Sequence, residues 1–374
     1  MIRWLDVLVL IALDVLAVAL WAGKGLWGMG APVALLWSLT LAWGLARLWA
    51  SADAVSDDWR GAWRGFPAGW RLYLTLLAWG GRRPVQWALV PLVMGYWVFL
   101  RGPQRDGIAE YLRRRMPDAS GPARAWAHLR LLLEFAFSLV DRFHLLLHGA
   151  GGLTIDRSAI PGLQAEIYGE RYAGQGLLVL SAHLGNADFA STALNATQRE
   201  VTLVLHRTPT DPYFALLERS GGEGAAPPKV LAVNASEQFA SLEIIRRLRA
   251  GEVVAMKADR VVDGRFATVD FLGGTIQLPT GPWLVAALSG APVLVLGCFR
   301  TGDLTYRMEA VGPRTYAFAN RATREADLQR WAQELADVFE RWTEQYPLQW
   351  FNFFDPWSPT VPAEEPSENP RGVP

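Results

Sequence analysis

The second half of the chain alternates between short apolar segments and helix-patterned segments, and this alternation restricts the fold more than any other feature. Seven apolar segments have the length of strands, at residues 177–182, 201–205, 230–233, 253–257, 267–271, 292–299 and 305–310. Five segments of helical pattern lie between or after them, at residues 188–197, 212–219, 237–250, 281–289 and 323–345. Strands that alternate with helices of this length usually pair in parallel. The pattern therefore predicts an α/β fold, an αβα sandwich with a mixed, largely parallel sheet.

The first of these strands ends in a stretch that is suited to chemistry. His183 directly follows the apolar run, a turn at Leu184-Gly185-Asn186 comes next, and Asp188 lies in the helical pattern beyond it. A histidine at the carboxyl end of a buried strand, beside a helix N-terminus, lies where α/β sheets place their ligands. We therefore predict that His183 is a general base and that Asp188 is its partner.

The spacing of these two residues alone is weak evidence. His206 and Asp211 repeat it, but the Arg-Thr-Pro-Thr between them is typical of an open loop. The residues after His183 instead form a turn that leads into a helix, which favours the first pair. The alternative is that His183 is a core histidine with a satisfied ring and that Asp188 is a helix-start acid.

A histidine–aspartate pair suits the transfer of an acyl group from a thioester to a hydroxyl. An imidazole with a pKa near 6.5 can take the hydroxyl proton, and a carboxylate on the other ring nitrogen fixes the tautomer. The backbone N–H groups of Gly185 and Asn186 are predicted to bind the oxyanion. The attacking nucleophile is then the acceptor hydroxyl, so the mechanism needs no serine or cysteine nucleophile.

Two long apolar stretches predict a transmembrane helical hairpin over residues 1–50. Residues 4–22 are apolar apart from Asp6 and Asp14, and residues 25–46 carry no charge. Each stretch is long enough to cross a bilayer, which takes about 20 apolar residues. Because arginines follow the second stretch, both termini are predicted to lie in the cytoplasm. The alternative is a pair of buried helices in a soluble core.

The rest of the chain divides into three regions. Residues 51–150 are predicted to form interfacial or amphipathic helices, residues 151–357 the catalytic domain, and the proline-rich residues 358–374 a disordered tail. Within the first region, the predicted helices cover residues 84–100, 104–115 and 122–148. The helix over 84–100 is uncharged and contains a proline, which indicates a re-entrant or interfacial helix.

Composition excludes several classes of function. Lys+Arg and Asp+Glu both number 36, so charge gives no reason to propose nucleic acid as a partner. The single cysteine, Cys298, excludes an internal disulfide and a cysteine-based metal site, and the five histidines do not form an HExxH motif. We predict no metal and no cofactor. With 51% hydrophobic residues and 18 Trp, the chain is apolar enough to indicate contact with a lipid bilayer.

Several sequence blocks resemble those of one enzyme family. HLGNAD at residues 183–188 resembles the H-x-GN-x-E/D element of the bacterial lipid A biosynthesis acyltransferases, within the lysophospholipid acyltransferase-like superfamily. Further blocks that resemble the family follow in its order: LVLHRTPTDPYF, LRAGEVVAMKADRVVDG, DFLGGTIQLPTGPWLVAALSGAPVLVLG and YPLQWFNFFDPW. The resemblance implies a glycerolipid acyltransferase-like fold in an enzyme of the bacterial inner membrane, with the catalytic domain facing the cytoplasm. It also implies transfer of a fatty acyl chain from acyl carrier protein to a hydroxyl of a glycolipid.

The resemblance and the local chemistry together suggest five further site residues. Arg207 is expected to hold a phosphate or carboxylate of the acceptor, or else to form a surface ion pair. Asp259 and Arg260 line the acceptor site or pair with each other. Thr280 and Gly281, at a helix start, either help to place a phosphate or thioester or form a plain helix cap.

Other interpretations stay open on the sequence alone. The donor is acyl carrier protein or acyl-coenzyme A, and the rival functions are a lipid hydrolase and a carrier-binding protein without turnover. Basic clusters at Arg113–Arg115 and Arg246–Arg249 suggest a docking face for an acidic carrier protein, or a solvated helix face. The aromatic residues of 350–357 line an acyl tunnel, lie at the membrane interface or pack in the core.

Overall fold

A computed structural model describes most of the chain beyond residue 72. The described residues are 73–99 without 75, 76 and 79, then 102–148, 152–163, 172–189 without 173 and 188, 200–205, 229–232, 240–261 and 265–358. The predicted hairpin at 1–50 and the predicted helices at 188–197 and 212–219 lie outside the described residues or almost entirely so, as do Asp188, His206 and Arg207.

Three helices whose bounds the structure describes precede the sheet. They are α1 (Arg82–Phe99), α2 (Pro103–Arg115) and α3 (Gly121–His148). α1 keeps Pro91 inside it and packs against α3, and its first turn is fixed by Arg82, whose guanidinium donates to Asp141 of α3 at 3.0 Å. Among the described residues, no helix combines the length and the apolar character that crossing a bilayer requires.

Strands and helices follow from residue 154 to residue 345, and the predicted helices at 188–197 and 212–219 lie almost entirely outside the described residues. The described elements are β1 (Thr154–Asp156), β2 (Leu177–Ser181), β3 (Val201–Leu205), β4 (Lys229–Ala232), α4 (Ala240–Arg249), β5 (Val253–Lys257), β6 (Phe266–Phe271), β7 (Gly274–Pro279), α5 (Gly281–Ser289), β8 (Val293–Gly302), β9 (Thr305–Arg314) and α6 (Arg324–Gln345). Seven of these strands form one sheet in the order β1-β9-β8-β2-β5-β3-β4. The five strands from β8 to β4 are parallel, and only β9 and β1 run the other way. The mixed, largely parallel sheet is therefore confirmed.

One predicted strand of this sheet lies elsewhere. The segment 267–271 belongs to β6, which pairs only with β7 in a separate antiparallel hairpin that packs on α6. Ala267, Val269 and Phe271 are buried whereas Thr268 and Asp270 are exposed, because a hairpin lying on a helix buries one face only. The assignment of this segment to the main sheet is thus corrected, although its strand conformation is not.

The central strand β2 is buried on both faces of the sheet. Leu178 and Leu180 face one apolar cluster, which includes residues of α2, α4, α5 and α6, whereas Leu177 and Val179 face a second cluster with residues of α1 and α3. Such double burial explains why β2 reads as an uninterrupted apolar run. It also means that the first polar position beyond the strand, at His183, lies at the carboxyl edge of a rigid layer.

Candidate active site

The ring of His183 is held by a buried carboxylate from the neighbouring strand. β2 and β5 are parallel with Ser181 opposite Lys257, so His183 and Asp259, two residues further on, lie side by side. Nδ1 of His183 lies 3.0 and 3.1 Å from the two carboxylate oxygens, and the His183 backbone N–H donates to Oδ2 at 2.9 Å. Because a carboxylate accepts and does not donate, Nδ1 carries the ring proton and Nε2 keeps its lone pair.

Burial sets the charge state of this pair. The Asp259 side chain is fully buried, whereas 27% of the His183 side chain is exposed. Burial lowers the pKa of His183 to about 4, although the Asp259 charge opposes this shift. Burial alone would raise the pKa of Asp259, but the charge of His183 and its hydrogen bonds hold that pKa below its usual range. At neutral pH the site therefore contains a neutral imidazole, an ionised carboxylate and a partly exposed ring, which is the state a general base requires.

The C-terminal segment closes the site from the other side. The Asn352 amide donates from Nδ2 to Asp259 Oδ2 at 2.9 Å and accepts from Arg260 Nε at 2.8 Å. The backbone N–H of Phe351 donates to the His183 carbonyl at 2.7 Å. Burial lowers the pKa of Arg260 to about 10, so its guanidinium stays charged at neutral pH beside the pair.

The two predicted oxyanion donors are engaged within the fold. The Gly185 N–H donates to the Gln349 carbonyl at 2.8 Å, and the Asn186 N–H donates to the Cys298 carbonyl at 2.7 Å. The Asn186 side chain is also buried and donates to the Ser138 carbonyl at 3.1 Å. These amides fix the turn after His183 against β8 and the C-terminal segment, so an oxyanion needs donors from other groups. This corrects the predicted role of the Gly185 and Asn186 N–H groups.

The other predicted site residues divide into three outcomes. Asp259 is hydrogen-bonded to His183, which is the function that the sequence suggests for Asp188. Asn352 lies between the Asp259 carboxylate and the Arg260 guanidinium and is hydrogen-bonded to both, so the predicted direct pair of these two residues is replaced by a bridge. Thr280 precedes α5, but its N–H and its hydroxyl both donate to the Arg265 carbonyl, at 3.0 and 3.1 Å. Asp188 and Arg207 lie outside the described residues, so their contacts stay predictions.

Sequence reasoning missed Asn352 and the link between His183 and Asp259. The second had a signal, because aligning the strand at 177–182 with the strand at 253–257 in parallel brings the two side chains together. Asn352 had none, because it approaches Asp259 from 93 residues further along the chain. Its contact depends on tertiary packing alone.

The contacts bear on two earlier predictions, the role of the aromatic residues near the C-terminus and the basic clusters as a docking face. Trp350 is 2% exposed and stacks on Tyr111 and Phe271, with centroids 5.9 and 5.1 Å away, so it packs in the core. Arg113 and Arg114 both bind Glu110, and Arg246 and Arg247 both bind Glu243. These basic clusters are thus partly neutralised by acidic residues of their own helices.

Within the described ranges, no group of three or more histidine, cysteine or acidic residues is arranged to hold a metal ion.

Comparison with known proteins identifies the family. Residues 157–358 match the family described as bacterial lipid A biosynthesis acyltransferase. The chain belongs to this acyltransferase family. The matched range contains His183, Asp259 and Asn352, so the hydrogen-bonded site lies within it.

Similar proteins carry a related name. The chain is 26% identical over 303 residues to the phosphatidylinositol mannoside acyltransferase of Mycolicibacterium smegmatis, which covers 78% of this chain and 90% of that protein. It is also 26% identical over 186 residues to the protein of the same name from two strains of Mycobacterium tuberculosis, covering 50% of this chain and 55% of those proteins. This acyltransferase is therefore an enzyme of lipid and glycolipid biosynthesis.

Proposed function

We propose that this acyltransferase moves a fatty acyl chain from acyl carrier protein to a sugar hydroxyl of a glycolipid at the cytoplasmic face of the bacterial inner membrane. The observation that carries the proposal is the neutral His183 ring, which is held at Nδ1 by a buried carboxylate while 27% of its side chain stays exposed. Such a ring can accept a proton at Nε2 without any change in its orientation.

The proposed reaction is a direct transfer. Nε2 of His183 takes the proton of the acceptor hydroxyl while its oxygen attacks the thioester carbonyl, and Asp259 stabilises the imidazolium that forms. When the carbon–sulfur bond breaks, the imidazolium returns the proton to the leaving sulfur, so an ester and a free thiol result. Arg207 is proposed to bind an anionic group of the acceptor, and Asp188 to support the site from the helix after the turn.

The names of the similar proteins support a phosphoinositol-type glycolipid acceptor. The similar proteins from Mycolicibacterium smegmatis and Mycobacterium tuberculosis are named phosphatidylinositol mannoside acyltransferases. Such an acceptor presents sugar hydroxyls for acylation and a phosphate for an arginine. A lipid A-like glycolipid has the same two features, and the assay below separates the two.

Attachment to the membrane is supported by α1. Trp87, Leu92 and Tyr96 are 66%, 45% and 40% exposed, and no charged residue occurs from Pro84 to Phe99. A helix with exposed aromatic and aliphatic side chains and an arginine at its start resembles an interfacial anchor. The site would then face the headgroup layer, where a glycolipid hydroxyl lies.

The test is product analysis with the full-length protein in vesicles. Acyl carrier protein charged with an isotope-labelled fatty acid is offered with either phosphatidylinositol mannoside or lipid A precursor, and lipids are analysed by mass spectrometry. We expect one acceptor to gain the mass of one acyl group, and H183Q to give no product above background. Free labelled fatty acid without a new ester would instead indicate a hydrolase, and preferred use of competing acyl-coenzyme A would replace the proposed donor.

A further inference from the structure

The Asn352 side chain occupies a buried position between two opposite charges. It is 2% exposed, with Nδ2 2.9 Å from Asp259 Oδ2 and Oδ1 2.8 Å from Arg260 Nε. The oxygen and nitrogen of the amide cannot be exchanged, because an ionised carboxylate has no hydrogen to donate and a guanidinium cannot accept a hydrogen bond. Its orientation is therefore fixed by both neighbours at once.

We propose that Asn352 is a positioning residue of this acyltransferase, which holds the Asp259 carboxylate against His183 and separates that carboxylate from Arg260. The inference rests on the proposed role of His183 as the base. Among the described residues, the Asn352 side chain is hydrogen-bonded to Asp259 and Arg260 and not to the ring, so its proposed action on His183 goes through Asp259.

The hydrogen bonds of Asp259 show why such a residue is needed. Oδ2 accepts from the His183 backbone N–H and from Asn352, and this pair of donors sets the plane in which the carboxylate meets Nδ1. The charge of Arg260 already acts on Asp259. Without the amide, the Arg260 Nε–H loses its acceptor at Oδ1 and the neighbouring carboxylate becomes an alternative, which would draw Asp259 away from His183.

Arg260 is supported on its far side as well. Nη2 donates to the Phe351 carbonyl at 3.4 Å, and the guanidinium lies 5.4 Å from the centroid of the Phe354 ring. Asn352 and its neighbours in the C-terminal segment thus hold the guanidinium and the carboxylate in separate places. The result is a base whose orientation does not depend on the bound substrate.

The decisive variant is N352D, which keeps the size of the side chain and its acceptor for Arg260 but puts a second carboxylate beside Asp259. A second negative charge beside Asp259 favours the imidazolium, so we expect the acid limb of the kcat profile to move up by about one pH unit. Within the described part of the chain, the other charged groups that act on the ring are Asp259, Lys257 and Arg260, and all three are unchanged in this variant. We also expect N352A to lower kcat by about 10- to 100-fold, by analogy with the loss of a hydrogen-bond partner behind a metal-bound histidine, with KM within about threefold.

A matched control separates positioning from general damage to the fold. Gln349 is a buried amide on the same segment, and its side chain is hydrogen-bonded to both backbone groups of Arg300, at 2.9 and 2.8 Å, rather than to Asp259 or His183. Q349E should therefore lower thermal stability while leaving the acid limb at its wild-type pH. The His183 ring resonance, identified by its loss in H183Q, should titrate at higher pH in N352D and at the wild-type pH in Q349E.

The outcomes distinguish the two proposals. A wild-type acid limb in N352D together with wild-type kcat in N352A would overturn the role of Asn352, provided that H183Q is inactive. An active H183Q would overturn the proposed function itself. If N352D does not fold, N352S is measured in its place, because a serine at this position loses the fixed amide bridge; wild-type kcat in N352S would contradict the inference.

Discussion

At the scale of single residues, the site depends on how burial acts on one imidazole. His183 lies at the edge of a sheet buried on both faces, and a carboxylate with no exposed surface is hydrogen-bonded to its inner nitrogen. Burial disfavours the charged ring more than Asp259 favours it. The enzyme therefore holds a free base over a pH range in which an ordinary histidine is already half protonated.

This argument predicts the pH dependence of catalysis. With the pKa of His183 lowered to about 4, the rate should not fall as pH is lowered through 6.5. We expect the acid limb of kcat/KM for the acceptor, measured with a saturating acyl thioester, to lie well below pH 6.5, since this limb reports the base of the enzyme–thioester complex before the acceptor binds. An acid limb at or above pH 6.5 would contradict the neutral-base assignment.

A second buried histidine, His128, leads to a prediction about how the stability of the fold depends on pH. His128 of α3 is 6% exposed, its Nε2 has no hydrogen-bond partner among the described residues, and burial lowers its pKa to about 4. Between about pH 6.5 and 4 the unfolded chain binds protons on both histidines that the folded chain does not, so stability falls as pH falls through this window.

Replacing His128 should remove one part of that acid sensitivity. H128L should reduce the stability loss between pH 7 and pH 5 by on the order of 2 kcal/mol. Thermal or urea unfolding at the two pH values measures it. The pH profile of activity should stay as in the wild type, because His128 is not a member of the His183–Asp259 pair. An unchanged acid sensitivity in H128L would mean that the lowered pKa of His128 does not contribute.

At the scale of elements, the turn after β2 fixes the position of His183. Gly185 has φ of +68°, and its N–H donates to Gln349 while Asn186 donates to Cys298. A Cβ on Gly185 would lie closer to the Cys298 carbonyl than van der Waals contact allows. The turn therefore requires glycine for its backbone conformation and also for the close approach of β8.

The substitution Gly185→Ala tests the second requirement against a control. Gly273, in the turn between β6 and β7, also has φ of +68°, but a Cβ there meets nothing within 4 Å. The left-handed backbone alone costs about 1–2 kcal/mol for alanine, so G273A should lose about that much stability. G185A should lose clearly more and should also lose activity, because relieving the clash moves His183. Equal melting temperatures for the two variants would contradict this account.

The sequence was most informative where structure is locally determined. The strands at 177–182 and 253–257 and the helices at 281–289 and 323–345 were located from apolar periodicity. The strands β1 and β7 were missed because β1 is short and β7 begins with glycine. The segment of β6 was assigned to the wrong sheet because the apolar pattern of a strand does not show which strand it pairs with. His183 could be located because it follows its own strand directly in the sequence. Its pairing with Asp259 could not, because that contact depends on the order of strands in the sheet.

At the scale of the whole molecule, a buried charge cluster joins the N-terminal helices to the sheet. Asp141 of α3 has no exposed surface and accepts hydrogen bonds from Arg82 at 3.0 Å, Arg300 at 3.3 Å and Tyr306 at 2.7 Å. These donors belong to α1, β8 and β9. The exposed apolar face of α1 is thereby held at a fixed orientation relative to the catalytic sheet.

Removing this carboxylate should destabilise the whole protein. Breaking one member of a buried ion cluster costs roughly 3–5 kcal/mol, so D141A should lower the unfolding midpoint strongly in urea or heat. Asp303 also pairs with Arg82, but its side chain is 48% exposed. Its pairs should be worth about 0–1 kcal/mol, which makes D303N the matched control. A D141A protein as stable as D303N would show that the cluster does not join the two parts.

The central claim is that His183 removes the proton of an acceptor hydroxyl. The most direct measurement is the single-turnover rate of ester formation from acyl carrier protein thioester and glycolipid, in full-length wild-type protein and in H183Q shown to be folded. We predict a loss of about 10²- to 10⁴-fold in H183Q, the contribution usual for a positioned base. A wild-type rate in H183Q, with the same ester formed, would contradict the account.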